Sequence, residues 1–170
     1  NTGQDEVIEN WWRVSGKYDY FLTEKLYAFA ETRYEKDSIA ELDRRITVGA
    51  GGGYQWIESD KMNFSTELGL ASLYEKYETQ TDSNTELSGQ ASYHFDMQVN
   101  KTFTFIHDLT YYPSLKQFSN YYLTTTGELR ASITENFFTN FKVILDYDAS
   151  PAAGAEKTNT KYILGAGWNF

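Results

Sequence analysis

Apolar and polar residues alternate with a period of two along most of this chain. In the segment 85–97, Leu87 and Phe95 lie on one side of an extended backbone, and Ser88 and His94 lie on the other. Such alternation is typical of antiparallel β-strands that have one apolar and one polar face. The pattern predicts nine strands, over residues 7–20, 25–35, 44–57, 62–76, 85–97, 101–112, 121–134, 138–149 and 158–170.

The connections between these strands alternate in length. Short turns are predicted at 22–24, 58–61, 98–100 and 135–137, and longer polar links at 36–43, 77–84, 113–120 and 150–157. Barrels of the bacterial outer membrane have short periplasmic turns and long external loops, and tilted strands of this length can cross a bilayer. We therefore predict an all-β, antiparallel transmembrane barrel of the bacterial outer membrane, as a single domain over residues 1–170.

Aromatic residues gather near the predicted strand ends, where membrane proteins place amphipathic rings. They fall at the periplasmic ends (Tyr18, Tyr20, Tyr54, Trp56 and Trp168) and near the outer ends (Tyr34, Tyr74, Tyr111 and Tyr121). The last strand alternates as far as Trp168 and closes on a terminal aromatic residue, Phe170. This ending is typical of outer-membrane barrels, so we expect Trp168 and Phe170 to form the signal that the barrel-assembly machinery recognises during insertion.

The composition fits this interpretation. The chain has no cysteine, its aromatic residues make up 17% of the total, and its mean hydropathy is −0.57. It lacks the run of about 18 apolar residues that a transmembrane helix needs. The net charge of −9 argues against a nucleic-acid partner, since phosphate backbones attract basic surfaces. We expect outer-membrane lipids and lipopolysaccharide as its surroundings, with an envelope protein as a further partner.

The number of strands raises a question of topology. Nine is odd, whereas single-chain bacterial barrels have an even number of strands and both termini in the periplasm. With residue 170 on the periplasmic side, residues 1–6 would begin outside the cell. We therefore expect further strands before residue 1.

The segment 16–29 is a distinctive string, GKYDYFLTEKLYAF, and it is followed by the motifs at 33–37, 43–45 and 49–54. Over residues 9–58 these motifs resemble a barrel family of unknown function, the salt-induced outer-membrane proteins. The resemblance implies a barrel of about twelve strands, about three of them upstream of residue 9. The family has no established activity, so the resemblance strengthens only the fold and the location; a role in salt or envelope stress, or in a larger complex, is our own expectation. The resemblance supplies no catalytic residue, cofactor or metal.

Charged residues crowd the strand face that would line the lumen. They are Arg13, Lys17, Asp19, Glu31, Arg33, Arg45, Glu67, His94, Asp96, Asp108, Glu128, Arg130, Lys142, Asp146 and Lys161. Arg13, Glu31, Arg33, Arg45 and Glu67 are the first candidates for a functional role. Because both signs are mixed, we expect opposite charges to pair and fill the lumen. The alternative is a narrow channel for ions or small solutes, which a ring of one sign would favour.

Two histidines and a set of acidic residues are weaker candidates. His94 and Asp96 could begin a metal site or a general-base pair, but no third ligand follows from the spacing, so a hydrogen-bonded structural histidine is favoured. His107 takes the lipid-facing position, which suggests a local bulge, a partner contact or a neutral imidazole near the interface. Acidic residues at the outer links could bind divalent cations shared with lipopolysaccharide, although simple solvation is favoured; they are Glu35, Asp37, Glu41, Asp43, Glu75, Glu78, Asp82 and Glu86.

The sequence contains no convincing enzyme motif. The glycine run at 49–53 lacks the Lys-Ser/Thr pair and the helix of a phosphate-binding loop. We expect these small residues to make room for Tyr27 or Phe29, or to allow sharp curvature. No G-x-S-x-G elbow frames a serine nucleophile. The sequence therefore predicts a non-enzymatic barrel without a cofactor, with a structural or interaction role in the envelope.

Overall fold

The computed structural model describes residues 10–38, 42–78, 83–151 and 156–168. These residues form nine strands, which confirms the predicted number. The strands are β1 (Trp11–Phe21), β2 (Leu26–Asp37), β3 (Leu42–Glu58), β4 (Met62–Tyr77), β5 (Ser83–Gln98), β6 (Phe103–Pro113), β7 (Tyr121–Ser132), β8 (Phe137–Asp148) and β9 (Thr158–Trp168). The described residues contain no helix that is both long and apolar enough to span a membrane.

Each strand pairs antiparallel with the next, so the nine strands form one sheet in the order β1 to β9. The register shifts only beside Asp37 in the β2–β3 pair and at both ends of the β3–β4 pair. The long uninterrupted registers keep alternate residues on the same face of the sheet from strand to strand. The sheet curls so that one face is concave and enclosed, as in part of a barrel.

The two faces of the sheet differ sharply in burial and polarity. Tyr27 and Phe29 are almost fully buried on the concave inner face, as the sequence predicted. The outer face carries large apolar side chains that remain open, such as Leu68, which is 71% exposed, and Leu164, which is 81% exposed. Charged side chains therefore lie inside the curled sheet and apolar ones outside it, the reverse of a water-soluble sheet.

Glycines on the inner face of β3 and β4 allow the tight curl. A Cβ atom on Gly51 would lie 2.6 Å from Cα of Gly69 and would overlap the Leu68 carbonyl, so the two strands can approach only without side chains there. A Cβ atom on Gly53 would lie 2.7 Å from the hydroxyl of Tyr27. Both expected roles of the glycine run, space for an inward aromatic ring and curvature, are therefore present in β3.

Three of the four short turns share one construction. In the turn from β1 to β2, the N–H groups of Leu22 and Thr23 both donate to the carbonyl of Leu26. The Thr23 hydroxyl accepts from the N–H of Leu26 at 2.9 Å. Asn100 and Thr134 occupy the place of Thr23 in the turns from β5 to β6 and from β7 to β8. The side-chain acceptor closes each turn locally, as Thr and Asn commonly do.

Two of these turns explain the largest differences between predicted and observed strand ends on the short-turn side. The Asn100 turn delays the start of β6 to Phe103, and the Thr134 turn ends β7 at Ser132. Pro113, predicted to open a long link, is instead the last residue of β6 and pairs with Tyr121. The predicted strand residues 7–9 and 169–170, including Phe170, lie outside the described residues.

Candidate functional site

Asp146 is the centre of a charged cluster in the long-link half of the inner face. Its carboxylate accepts hydrogen bonds from Tyr122 at 2.9 Å and from Thr124 at 2.7 Å. It also receives Nη2 of Arg13 at 3.0 Å and Nζ of Lys161 at 3.3 Å. A buried carboxylate is stable only when it is paired and fully hydrogen-bonded, and Asp146 meets both conditions.

Arg45 forms a second set of contacts beside the first. Its Nε lies 2.5 Å from Oε1 of Glu75, and its Nη2 lies 3.5 Å from Oδ2 of Asp148. The guanidinium stacks over the Tyr122 ring at 4.1 Å from the ring centroid. Arg45 is only 7% exposed, so β3, β4, β7 and β8 hold its charge away from bulk water.

Glu35 and Asp37 correct one prediction. They were expected to flank an exposed loop, but they are 5% and 6% exposed and point into the same cluster. Glu35 pairs with Arg13, while Asp37 pairs with Lys161 at 2.9 Å and accepts from Asn159. The inner-face cations attract these carboxylates inward, which rules out their solvation in the loop. Glu41 and Asp82 lie outside the described residues.

We call this cluster the polar plug. It comprises Arg13, Glu35, Asp37, Arg45, Glu75, Tyr122, Asp146, Asp148 and Lys161. Its ion pairs join strands that are not neighbours in the sheet: β1 to β8, β3 to β8, and β2 to β9. Side chains therefore close the long-link half of the concave face across its width.

The centre of the inner face holds two of the predicted acids. Glu31 accepts from Gln90 at 3.0 Å and from the Tyr112 hydroxyl at 3.1 Å. Glu67 pairs with Lys17. It also accepts hydrogen bonds from the Tyr27 hydroxyl, at 2.8 Å, and from the Ser92 hydroxyl. These bonds connect β1, β2, β4, β5 and β6 on the short-turn side of the plug.

Two of the three predicted inner-face arginines, Arg13 and Arg45, pair with carboxylates of the polar plug. Neither Arg13 nor Arg45 pairs with Glu31 or Glu67, and Arg33 forms no ion pair within the described ranges. The sequence reasoning missed the buried tyrosines Tyr112 and Tyr122. It named the acids Glu35, Asp37 and Glu75 but assigned them to the outer links instead of the inner face. The period of two in β2 could have predicted the inward position of Glu35 and Asp37, since they lie on the same face of the strand as Glu31 and Arg33.

The short-turn half of the inner face is wetter, and we call it the vestibule. Its residues are Lys17, Asp19, His94, Asp96, Asp108, Arg130 and Lys142. Their side chains are 32–49% exposed, except that of Asp96, which is 26% exposed. His94 lies between two carboxylates, with Nδ1 2.6 Å from Asp108 and Nε2 3.1 Å from Asp96. Both ring nitrogens are thus engaged by carboxylates, and no group of three or more His, Cys, Asp or Glu side chains among the described residues is arranged to hold a metal ion.

Glu128 and Arg130 lie in the same half of the inner face, on β7, the strand next to β6. Glu128 is 5% exposed and accepts from Arg130 and Asn140, while Lys142 lies 3.1 Å from its other oxygen. The vestibule therefore has acids on β5 and β6 and a pair of cations on β7 and β8.

His107 lies on the outer face, as predicted, but without a bulge. The pairing of β5, β6 and β7 is continuous through it. Its ring stacks against Tyr93 and Phe105, and its nitrogens face the hydroxyls of Tyr93 at 2.9 Å and Thr125 at 3.3 Å. An aromatic pocket with two hydroxyl partners accounts for this histidine on an apolar surface.

The chain is similar to one described protein family and to solved structures. No curated protein matches the sequence. A solved structure described as the NanC porin in a rhombohedral crystal form is similar, with 10% identity, a TM-score of 0.47 and coverage of 94% of each chain. The model of a family described as "Protein of unknown function, DUF481" matches residues 1–170. The chain belongs to this family of unknown function.

Proposed function

We propose that this chain is a non-enzymatic β-barrel of the bacterial outer membrane, with a structural or interaction role in the cell envelope. The observation that carries the proposal is the reversed polarity of the curled sheet. Charged side chains pair inside it, whereas Leu68, Leu164 and other large apolar residues point outward and remain uncovered. A lipid bilayer is the surrounding that makes such an outer face stable.

The same proposal names its partners. Outer-membrane lipids and lipopolysaccharide would cover the apolar face, and the barrel-assembly machinery would insert the chain through its last strand. The described part of that strand ends on Trp168, whose ring lies 6.1 Å from that of Phe137. The proposed role is in salt or envelope stress, alone or with an envelope partner.

A narrow channel for ions or small solutes is the second candidate. The vestibule favours it, because His94 and Asp108 are about half exposed on the lumenal face. The polar plug argues against it, since its ion pairs cross the lumen in the other half. A plugged barrel is therefore the proposed resting state.

A pair of labels at one depth tests the membrane location. The chain has no cysteine, so Leu164→Cys and Ile163→Cys each give one site for a nitroxide, on the outer and inner faces of β9. In lipid vesicles we expect the label at 164 to be accessible to oxygen and shielded from a water-soluble nickel chelate. The label at 163 should show the lower oxygen accessibility. Equal nickel accessibility at both positions would contradict a lipid-facing outer surface.

A further inference from the structure

The charged clusters of the inner face differ in their balance of charge. In the polar plug five carboxylates meet three cations, in the Lys17 cluster Asp19 and Glu67 share one lysine, and His94 lies between two carboxylates. Around Glu128 the balance is reversed, because Arg130 and Lys142 share this single carboxylate. Of these clusters in the described residues, the Glu128 cluster alone has an excess of positive charge.

Four donor contacts already hold the Glu128 carboxylate. Its Oε1 accepts from Nε and Nη2 of Arg130 at 3.1 and 3.0 Å and from the amide of Asn140 at 3.1 Å. Its Oε2 lies 3.1 Å from Nζ of Lys142. The carboxylate therefore holds both cations in place without neutralising them.

Both cations keep donors that face the vestibule. The side chains of Arg130 and Lys142 are 36% and 32% exposed, so a solute in the vestibule can reach them. Nη1 of Arg130 has no acceptor within the described part of the chain, and Lys142 has only the contact with Glu128. An oxyanion can therefore bind without displacing Glu128.

Neighbouring residues fix the position of these groups. The Arg130 guanidinium stacks on the Phe138 ring at 4.6 Å from the centroid. On β9, a Cβ atom at Gly167 would lie 2.9 Å from Cε1 of Phe138, and one at Gly165 would lie 2.5 Å from Oδ1 of Asn140. The bare backbone of β9 thus gives Phe138 and Asn140 the space they need to support Arg130 and Glu128.

We propose that Arg130 and Lys142 form an oxyanion-binding site in the vestibule, for a phosphate or carboxylate group of a small solute or a lipid headgroup. Nη1 of Arg130 offers a charged donor that its contacts with Glu128 hold in place, and the neighbouring ammonium of Lys142 adds a mobile charged donor. The overall charge of −9 makes non-specific anion binding elsewhere on the chain unfavourable. The site lies in the vestibule, outside the polar plug, so a solute can reach it whether or not the plug opens.

Titration of the folded full chain with inorganic phosphate, in phospholipid-free nonionic micelles, tests the site by calorimetry. We expect saturable binding that Arg130→Gln weakens about tenfold or more, the usual effect of losing a charged hydrogen-bond donor. Lys17→Gln is the matched control, since Lys17 is also a half-exposed inner-face cation but lies among acids. It should leave the affinity unchanged. If Arg130→Gln does not fold, Lys142→Gln provides the same comparison.

The outcomes separate the site from general electrostatics. Absence of saturable phosphate binding, or equal weakening by Lys17→Gln and Arg130→Gln, would overturn the proposal. Adding phosphatidylglycerol to the micelles then distinguishes the source of the oxyanion. Competition with phosphate supports a lipid headgroup as the ligand, and undiminished phosphate binding supports a dissolved solute.

Discussion

Replacing Arg45 with methionine should destabilise the folded chain severely, because Arg45 is the cation that two plug carboxylates share. Its side chain is 8% exposed, and those of Glu75 and Asp148 are 15% and 16% exposed. Removing one member of a buried ion pair typically costs about 3–5 kcal/mol, since the remaining charge stays buried without a partner. Here Arg45→Met leaves two such carboxylates facing each other, and the stacking on Tyr122 is also lost.

Urea unfolding of the chain in lipid vesicles, followed by tryptophan fluorescence, measures this cost as a shift of the unfolding midpoint. Arg44→Met is the matched control, since Arg44 is 41% exposed and its nearest carboxylate, that of Asp43, is 3.9 Å away. An exposed pair of this kind contributes at most about 1 kcal/mol. If Arg45→Met and Arg44→Met shift the free energy of unfolding equally, the plug is not a stabilising network and the reasoning fails.

Three further changes test separate parts of the structure by the same unfolding measurement. Gly51→Ala should lower the free energy of unfolding by about 1–3 kcal/mol, because the added Cβ meets backbone atoms. Gly52→Ala should be almost neutral, because the atom nearest to its Cβ is 3.8 Å away. Equal effects of the two substitutions would refute the close approach of β3 and β4. Asn100→Ala should lower the free energy of unfolding by about 0.5–1.5 kcal/mol, because it removes the acceptor of two turn N–H groups. An unchanged free energy of unfolding would show that the turn closes without the Asn100 side chain. Asp146→Asn should lower the free energy of unfolding by about 3–5 kcal/mol, because Asp146 is buried among four donors. Asp19→Asn should lower it by at most about 1 kcal/mol, because Asp19 is partly exposed and shares Lys17 with Glu67; the reverse order would contradict the described plug.

The strand pattern was readable from the sequence because one physical rule governs every strand. A period of two places alternate side chains on opposite faces, and nine long strands repeat it without a competing helical signal. Strand ends were less predictable, since they depend on local turn chemistry. The acceptor side chains of Thr23, Asn100 and Thr134 decide where three hairpins close, and no hydrophobic pattern records this.

The pairing of the charges could not be read in the same way. Parity assigns Arg13 and Asp146 to the inner face, but they are 133 residues apart and meet only because the sheet curls. The inward glycines of β3 and β4 allow these two strands to approach closely, but their spacing in the sequence does not say which distant strands the curled sheet brings together. Glu35 and Asp37 were misplaced for a related reason, since their position beside a long link suggested solvent and the cations that draw them inward lie on β1 and β9.

Conductance across a planar lipid bilayer tests the plugged barrel most directly. Insertion is first established for the folded chain by its heat-modifiable migration on gels. The account predicts no steady current from the inserted wild-type chain, and discrete current steps from Asp148→Arg, which places two cations together where Arg45 meets Asp148. Steady ohmic steps from the wild-type chain, with an ion selectivity that an Arg45→Glu swap changes, would contradict the plug and establish a channel.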